Sequence, residues 1–432
     1  MTSLTHPPAH RPLLAAAVLA GALALSACGG PTTSGAAPAS SSPAGTHHDD
    51  HDHEDAHETH ESGRANPRLA VTYEGGLLVL DANSGEVLAD EPLEGFNRVN
   101  PAGDGRHVLV STSAGFRALD TGAWSEPHGD HDHHYTSAPR LTEHVFPATT
   151  PGHVVLHADK TVLFDDGTGE VAVFDPHGLA DGFPDADRFQ TPVAHHGVAV
   201  QLGDGALLTT HGPAGERNGI TAYGPAGSDG TRPELAVNTD CPGIHGEAVA
   251  ADEAVVFGCE DGLLVYRNGK IAKVAAPDAY GRIGNQAGSE ASTVVLGDYK
   301  SDPDAELERP TRVSLTDTES GELSLVETGA AYSFRSLARG PEGEALVLGA
   351  DGALRVIDPD TTEVVDEIPV TDAWEEPLEW QQPRPGIFVQ GTTAYVTEPA
   401  TRTLHLVDLV GRSVLKGVEL PQVPNEITGI PG

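Results

Sequence analysis

From Arg68 to the C-terminus one pattern returns at steps of about 37 to 55 residues: a short apolar strand, a Gly- or Asp-rich turn, then a second strand, often closed by Asp. Eight copies are legible: Leu69 to Asp81, Val108 to Asp120, Val162 to Asp175, Ala206 to Tyr223, Ala254 to Tyr266, Thr293 to Asp317, Ala345 to Asp358 and Thr393 to Asp408. A period of that length built from strands alone is the signature of an all-β fold, a β-propeller of four-stranded blades. Each copy supplies the second and third strands of a blade, with an inner strand upstream and an outer one downstream, such as Glu86 to Asp90. The first copy has little in front of it to act as an inner strand. Asn425 to Ile430 is expected to supply it, closing the ring and removing exposed strand edges. The count is eight blades, with seven as the alternative. Gly 50 and Pro 33 among 432 residues interrupt the chain too often for long helices.

Ahead of the repeats lie two segments of different character. Residues 1 to 28 carry Arg11, the apolar run Leu13 to Leu25 and then Leu25-Ser26-Ala27-Cys28, which has the layout of a secretory signal. The tetrad resembles a bacterial lipobox, which implies lipidation of Cys28 and export to the outer face of the cell membrane or the periplasm. Residues 29 to 65 read as a tether that cannot bury enough apolar surface to order itself, and residues 66 to 432 as the propeller. Within the tether, residues 47 to 61 (HHDDHDHEDAHETHE) hold His47, His48, His51, His53, His57 and His60 among seven carboxylates, an auxiliary metal-binding segment with no geometry to select one ion. With Cys28 assigned to lipid, Cys241 and Cys259 form an even pair, and in an oxidising compartment a disulfide is the default. Two thiolate metal ligands are the competing reading.

Twenty-two histidines are the most unusual feature of the composition. His153 (PGHVV), His195 and His196 (AHHGVAV) and His245 (CPGIHGEAV) stand at or just before inner strands. His196 and His245 share one offset, 12 residues before Leu208 and Phe257, and His153 is 11 before Phe164. Equivalent offsets in neighbouring blades put these side chains on one rim near the axis. The segment His128-Gly129-Asp130-His131-Asp132-His133-His134 follows a strand around Trp124, taken as an outer strand. It is therefore expected in the same kind of loop, between the second and third copies. Imidazole and carboxylate donors converging there suit Zn(II), whose ligating histidines must be neutral. The candidate ligands are His128, His131, His133, His134, His153, His195, His196 and His245. His157 is a supporting group, whereas His107, His177, His211 and His405 read as ordinary strand-capping or carbonyl-bonded residues.

The His-rich segment, HGDHDHHYTSAP, CPGIHGEA followed by VFGCEDG, and the propeller repeats together resemble the AztD-type zinc metallochaperones, over most of residues 47 to 432. The resemblance implies an exported β-propeller that binds zinc on a loop site and passes it by ligand exchange to the solute-binding protein of a zinc ABC transporter. The lipobox departs from a freely soluble form. With 64 acidic against 25 basic side chains and a net charge of −39, nucleic acid is excluded as a partner. The membrane is touched through the anchor only, and a monomer is expected. Two other classes compete. A propeller hydrolase needs an open zinc position to activate water, and no nucleophile motif or spaced carboxylate pair is present. A passive surface-binding module predicts no tight metal site outside residues 47 to 61.

Overall fold

The computed structural model describes residues 58–212 and 216–432. Cys28 and the histidines from His47 to His57 lie outside them. Among the described residues eight sheets of four antiparallel strands follow one another, the first of them taking its inner strand from the C-terminus. One of them gains a two-residue strand, Gly281–Arg282. All eight proposed copies fall on the second and third strands, for example Arg68–Tyr73 with Gly76–Asp81 and Thr393–Glu398 with Thr403–Asp408. The inner strand of the first sheet is the C-terminal Ile427–Ile430, paired Arg68 to Ile430 and Val71 to Ile427, so the two ends of the repeat region share one sheet.

Burial along each strand follows from its place in the sheet. The second and third strands are covered on both faces by neighbouring sheets and are apolar almost throughout: Leu69, Val71, Leu78 and Leu80 are fully buried against Tyr395, Leu404 and Leu406 of the last sheet. Each such Leu contributes roughly 2 kcal/mol by leaving water. The outer strand Val87–Pro92 alternates instead, half in and half out. The closing Asp of the repeat has a local role. Asp81 accepts from the Ser84 amide at 2.8 Å through Oδ1, and its carbonyl accepts from Gly85, whose φ of +74° a Cβ would strain. Asp317 with Gly321 repeats the arrangement.

One insertion departs from the expected plan. Ala123–His128 is not an outer strand. It pairs with His131–Thr136 to make a hairpin, and the outer strand of the second sheet is Arg140–Pro147, which pairs back onto Gly115–Asp120. His60–Ser62, inside the segment expected as tether, adds a third strand to the hairpin. Strand direction then fixes where the hairpin lies. Inner strands begin at one end of the sheets, whereas third strands finish at the other. A hairpin between a third strand and its outer strand sits at the end opposite the one where His153, His196 and His245 enter their inner strands.

Candidate metal centre

His153, His196 and His245 come from three successive sheets, and their ligand nitrogens lie within 4.8 Å of one another. The ring centroids are 5.2 to 5.9 Å apart. His196 Nε2 is 3.3 Å from His245 Nε2. A zinc ion with Zn–N bonds of about 2.0–2.1 Å and tetrahedral angles holds its nitrogens about 3.3–3.4 Å apart, so this pair already has the spacing of two ligands.

Local backbone features aim these side chains. Register shifts between Pro151 and Val154, and between His245 and Ala248, place a bulge at the start of each of the two inner strands. Bulges re-aim side chains that a regular ladder would send elsewhere. Gly246, with φ of +70°, forms the second bulge, and a Cβ there would meet Gln286 Oε1 at 2.4 Å. The ring orientations are fixed from behind. His196 Nδ1 is 2.5 Å from Asp166 Oδ2, and His245 Nδ1 donates to the Gly284 carbonyl at 2.6 Å. With Nδ1 so engaged, Nε2 of both rings is left to face the trio, the arrangement that ligating imidazoles need.

Protein around the ring, and then the charges of His196, His245, Arg98 and Arg217, hold the His153 pKa well below the ordinary imidazole value. Burial likewise brings His245 down to about 4, opposed by its bond to Gly284 and assisted by His196, Arg282 and Arg217. Both are therefore neutral at physiological pH, the form that binds metal.

No family model matches the chain. A search of curated proteins finds the zinc chaperone AztD of Citrobacter koseri, 25% identical over 368 residues, which span 82% of this chain and 83% of that protein. The crystal structure of Citrobacter koseri AztD superposes with a TM-score of 0.73 at 23% identity, over 85% of this chain and 99% of that one. Its apo form gives 0.71 at 22%, over 85% and 98%. This chain is therefore similar to AztD in sequence and in fold. The dihydro-heme d1 dehydrogenase NirN shares the fold alone, with a TM-score of 0.54 at 12% identity over 84% of this chain and 74% of that one.

The chain carries a second trio, on the hairpin. His128, His131 and His133 bring their ligand atoms within 4.8 Å of one another. Pairing explains the choice. His128 is opposite His131 and Glu126 is opposite His133, so alternation puts all three imidazoles on one face. His133 Nε2 is 3.3 Å from His128 Nδ1, and its own Nδ1 is 2.9 Å from Glu61 Oε1 of the added strand. His128 and His131 are exposed, unlike His153 and His245. Below them Tyr135 stacks on Trp124, over which the Arg106 guanidinium lies at 3.9 Å.

The remaining candidates are elsewhere. His134 points to the other hairpin face, with Nδ1 2.7 Å from Ser125 Oγ. His195 uses both nitrogens, Nδ1 to the Val193 carbonyl at 2.8 Å and Nε2 to Thr210 Oγ1 at 3.0 Å. His60 is exposed on the added strand, and His157 bonds Glu253 at 2.9 Å rather than either trio. His107, His177, His211 and His405 bond Asp104, Asp175, Thr221 and Glu398. The expected single gathering is thus two, because the hairpin leaves the chain at the far end of the second sheet.

Cys241 and Cys259 form a disulfide, both fully buried. It ties the turn before His245 to the end of the adjacent strand, and the Glu260 amide donates to the Pro242 carbonyl beside it at 2.9 Å. The thiolate-ligand reading is thereby set aside. Asp166 and Gly284 were not reached from sequence, and Glu61 only as one of the carboxylates of the segment 47–61. The only trace of Asp166 is its place in the Asp-Asp-Gly turn of a neighbouring repeat.

Proposed function

We propose that this chain is an extracytoplasmic zinc chaperone whose principal site is the trio His153, His196 and His245, and that it passes the ion to the solute-binding protein of a zinc ABC transporter. The observation that carries the reading is the 3.3 Å separation of His196 and His245 Nε2 within a three-imidazole cluster braced from behind by Asp166 and Gly284. Similarity to a protein named as a zinc chaperone supports the choice of ion. Three protein ligands leave one tetrahedral position open. Through it a receiving site can add a ligand before the donor's leave, so the ion moves by exchange and is never free.

The hairpin trio, on exposed strands beside Glu61, is a secondary site that exchanges ions with the His-rich segment 47–61. Residues 1–28 act as a lipoprotein signal ending at Cys28, with the residues from 29 up to the strand His60–Ser62 as a tether that keeps the propeller near the membrane. No helix among the described residues is long and apolar enough to cross one. The test is direct transfer. Zinc-loaded protein mixed with an apo solute-binding protein, with a chelator present, is expected to load the acceptor faster than the ion dissociates into chelator. Equal rates would argue against handover.

A further inference from the structure

Most exposed large apolar side chains stand on outer strands, where isolated ones are ordinary: Leu88, Leu235, Val237, Val365, Val414 and Leu415. Leu378 and Trp380 differ. They are 64% and 52% exposed and belong to the segment between the outer strand Val364–Pro369 and the inner strand Gly386–Gln390. A segment that leads into an inner strand lies at the end of the sheets where His153, His196 and His245 enter theirs. It has no regular structure, yet it is pinned on both sides of the two exposed residues. The fully buried Arg384 donates through Nη1 to Glu376 Oε1 at 2.5 Å and through Nη2 to the Glu379 carbonyl at 2.7 Å. Asn425 Nδ2 donates to the Gln381 carbonyl at 3.0 Å. Burying an ion pair costs desolvation, and here it holds two apolar side chains out in water in a fixed arrangement, which lowers the ordering cost of binding a partner.

Phe96 packs edge to face on Trp380, with ring centroids 5.1 Å apart and planes at 79°. The pair is a ridge between two cavities. On one side Trp380 and Leu378 line a hollow of about 150 Å³ with Leu307 and Phe334. On the other, Phe96 lines a cavity of about 470 Å³ with Tyr73, Glu74 and Glu94, and no basic side chain among the described residues lines it. Glu74 and Glu94 are exposed, as are Glu375 and Glu379 on the loop itself. An apolar centre within a carboxylate rim complements a protein surface whose apolar centre is ringed by Lys and Arg. Occupants from this chain have the wrong charge: residues 47–61 carry seven carboxylates, and a second copy brings a net charge of −39.

We propose that this ridge and its two cavities are the docking surface for the protein that receives zinc. The acceptor presents an apolar side chain to Trp380 and Leu378, and a lysine or arginine to Glu74, Glu94 and the Phe96 ring. The proposal rests on the handover reading above. Tryptophan is a preferred anchor of protein interfaces, and an aromatic face beside carboxylates suits a cationic side chain. Docking there sets the acceptor against the end of the propeller that carries the axial trio and leaves the hairpin trio, at the other end, uncovered.

The test uses the full chain and the solute-binding protein of its own zinc ABC transporter, both metal-free, so that association is read while no ion moves. Calorimetry gives the affinity, and the part of the tryptophan emission that Trp380→Phe removes reports on this side chain. In the wild-type complex that emission is expected to shift to the blue and to be shielded from acrylamide. Leu378→Ala with Trp380→Ala should weaken association roughly tenfold or more, whereas Leu235→Ala with Val237→Ala, on an outer strand, should leave it unchanged. Glu74→Gln with Glu94→Gln should weaken it at low salt and flatten its dependence on salt. Zinc affinity of each variant, measured against a chelator, should stay at the wild-type value. Association that leaves Trp380 exposed, or that tolerates Leu378→Ala with Trp380→Ala, overturns the proposal, as does a wild-type chain that does not bind the acceptor. Self-association lost in the same double variant would assign the surface to a second copy and overturn it too. The handover reading is judged separately, by zinc loading in the presence of chelator. Docking at Trp380 with loading no faster than dissociation refutes handover and not the surface, and direct loading that ignores the double variant refutes the surface and not handover.

Discussion

His196 and Asp166 come from neighbouring sheets, and their side chains meet with Nδ1 2.5 Å from Oδ2. The contact fixes which imidazole nitrogen faces the metal. Asp166→Ala leaves the three imidazoles in place but frees the His196 ring to turn, so zinc affinity is expected to fall by about 10- to 100-fold with no change in fold. Competition against a chelator, with circular dichroism as the control, checks it.

The depressed His245 pKa is also a statement about stability. In the unfolded chain the imidazole titrates near its ordinary value, whereas in the folded protein it does so at about 4. Protons therefore go to the unfolded state first, and the stabilisation, complete above the unfolded value, is lost as pH falls from there toward 4. Relative to His245→Asn, the metal-free wild type is expected to lose about 2 kcal/mol between pH 7 and pH 5. Urea unfolding at the two pH values in the presence of chelator measures the difference.

The two trios sit at opposite ends of the sheets and share no partner. Zinc affinities after His131→Ala with His133→Ala, after His245→Ala, and after all three should combine additively, within about 0.5 kcal/mol. Coupling beyond that in a double-mutant cycle would mean that the sites communicate.

Breaking the disulfide loosens the turn ahead of His245. Cys241→Ser with Cys259→Ser is expected to cost roughly 3 kcal/mol of stability, the value for a cross-link closing a loop of this length. Zinc binding at the axial trio should weaken with it, and thermal unfolding together with chelator competition reports both.

Most of the fold was legible because a propeller repeats one period many times, so uncertain strand boundaries reinforce one another. Leu69 to Asp81 and Thr393 to Asp408 look alike in sequence because each occupies the same doubly covered place in its sheet. The hairpin at Ala123–Thr136 broke that logic. Trp124 and Tyr135 look like strand residues of a blade, and nothing local tells a hairpin inserted after the third strand from an outer strand. The axial histidines are legible through their shared offset, and His195 stands with His196 at the start of the same inner strand. Only the bonds to Val193 and Thr210 separate the two. Asp166 and Gly284 are not legible, since their roles depend on contacts between sheets that no linear spacing encodes.

The most direct measurement is anomalous diffraction at the zinc edge from crystals grown with one equivalent of zinc per chain. The account predicts one strong peak about 2.0–2.1 Å from the ring nitrogens of His153, His196 and His245. A peak confined to His128, His131 and His133, with none between the inner strands, would contradict it.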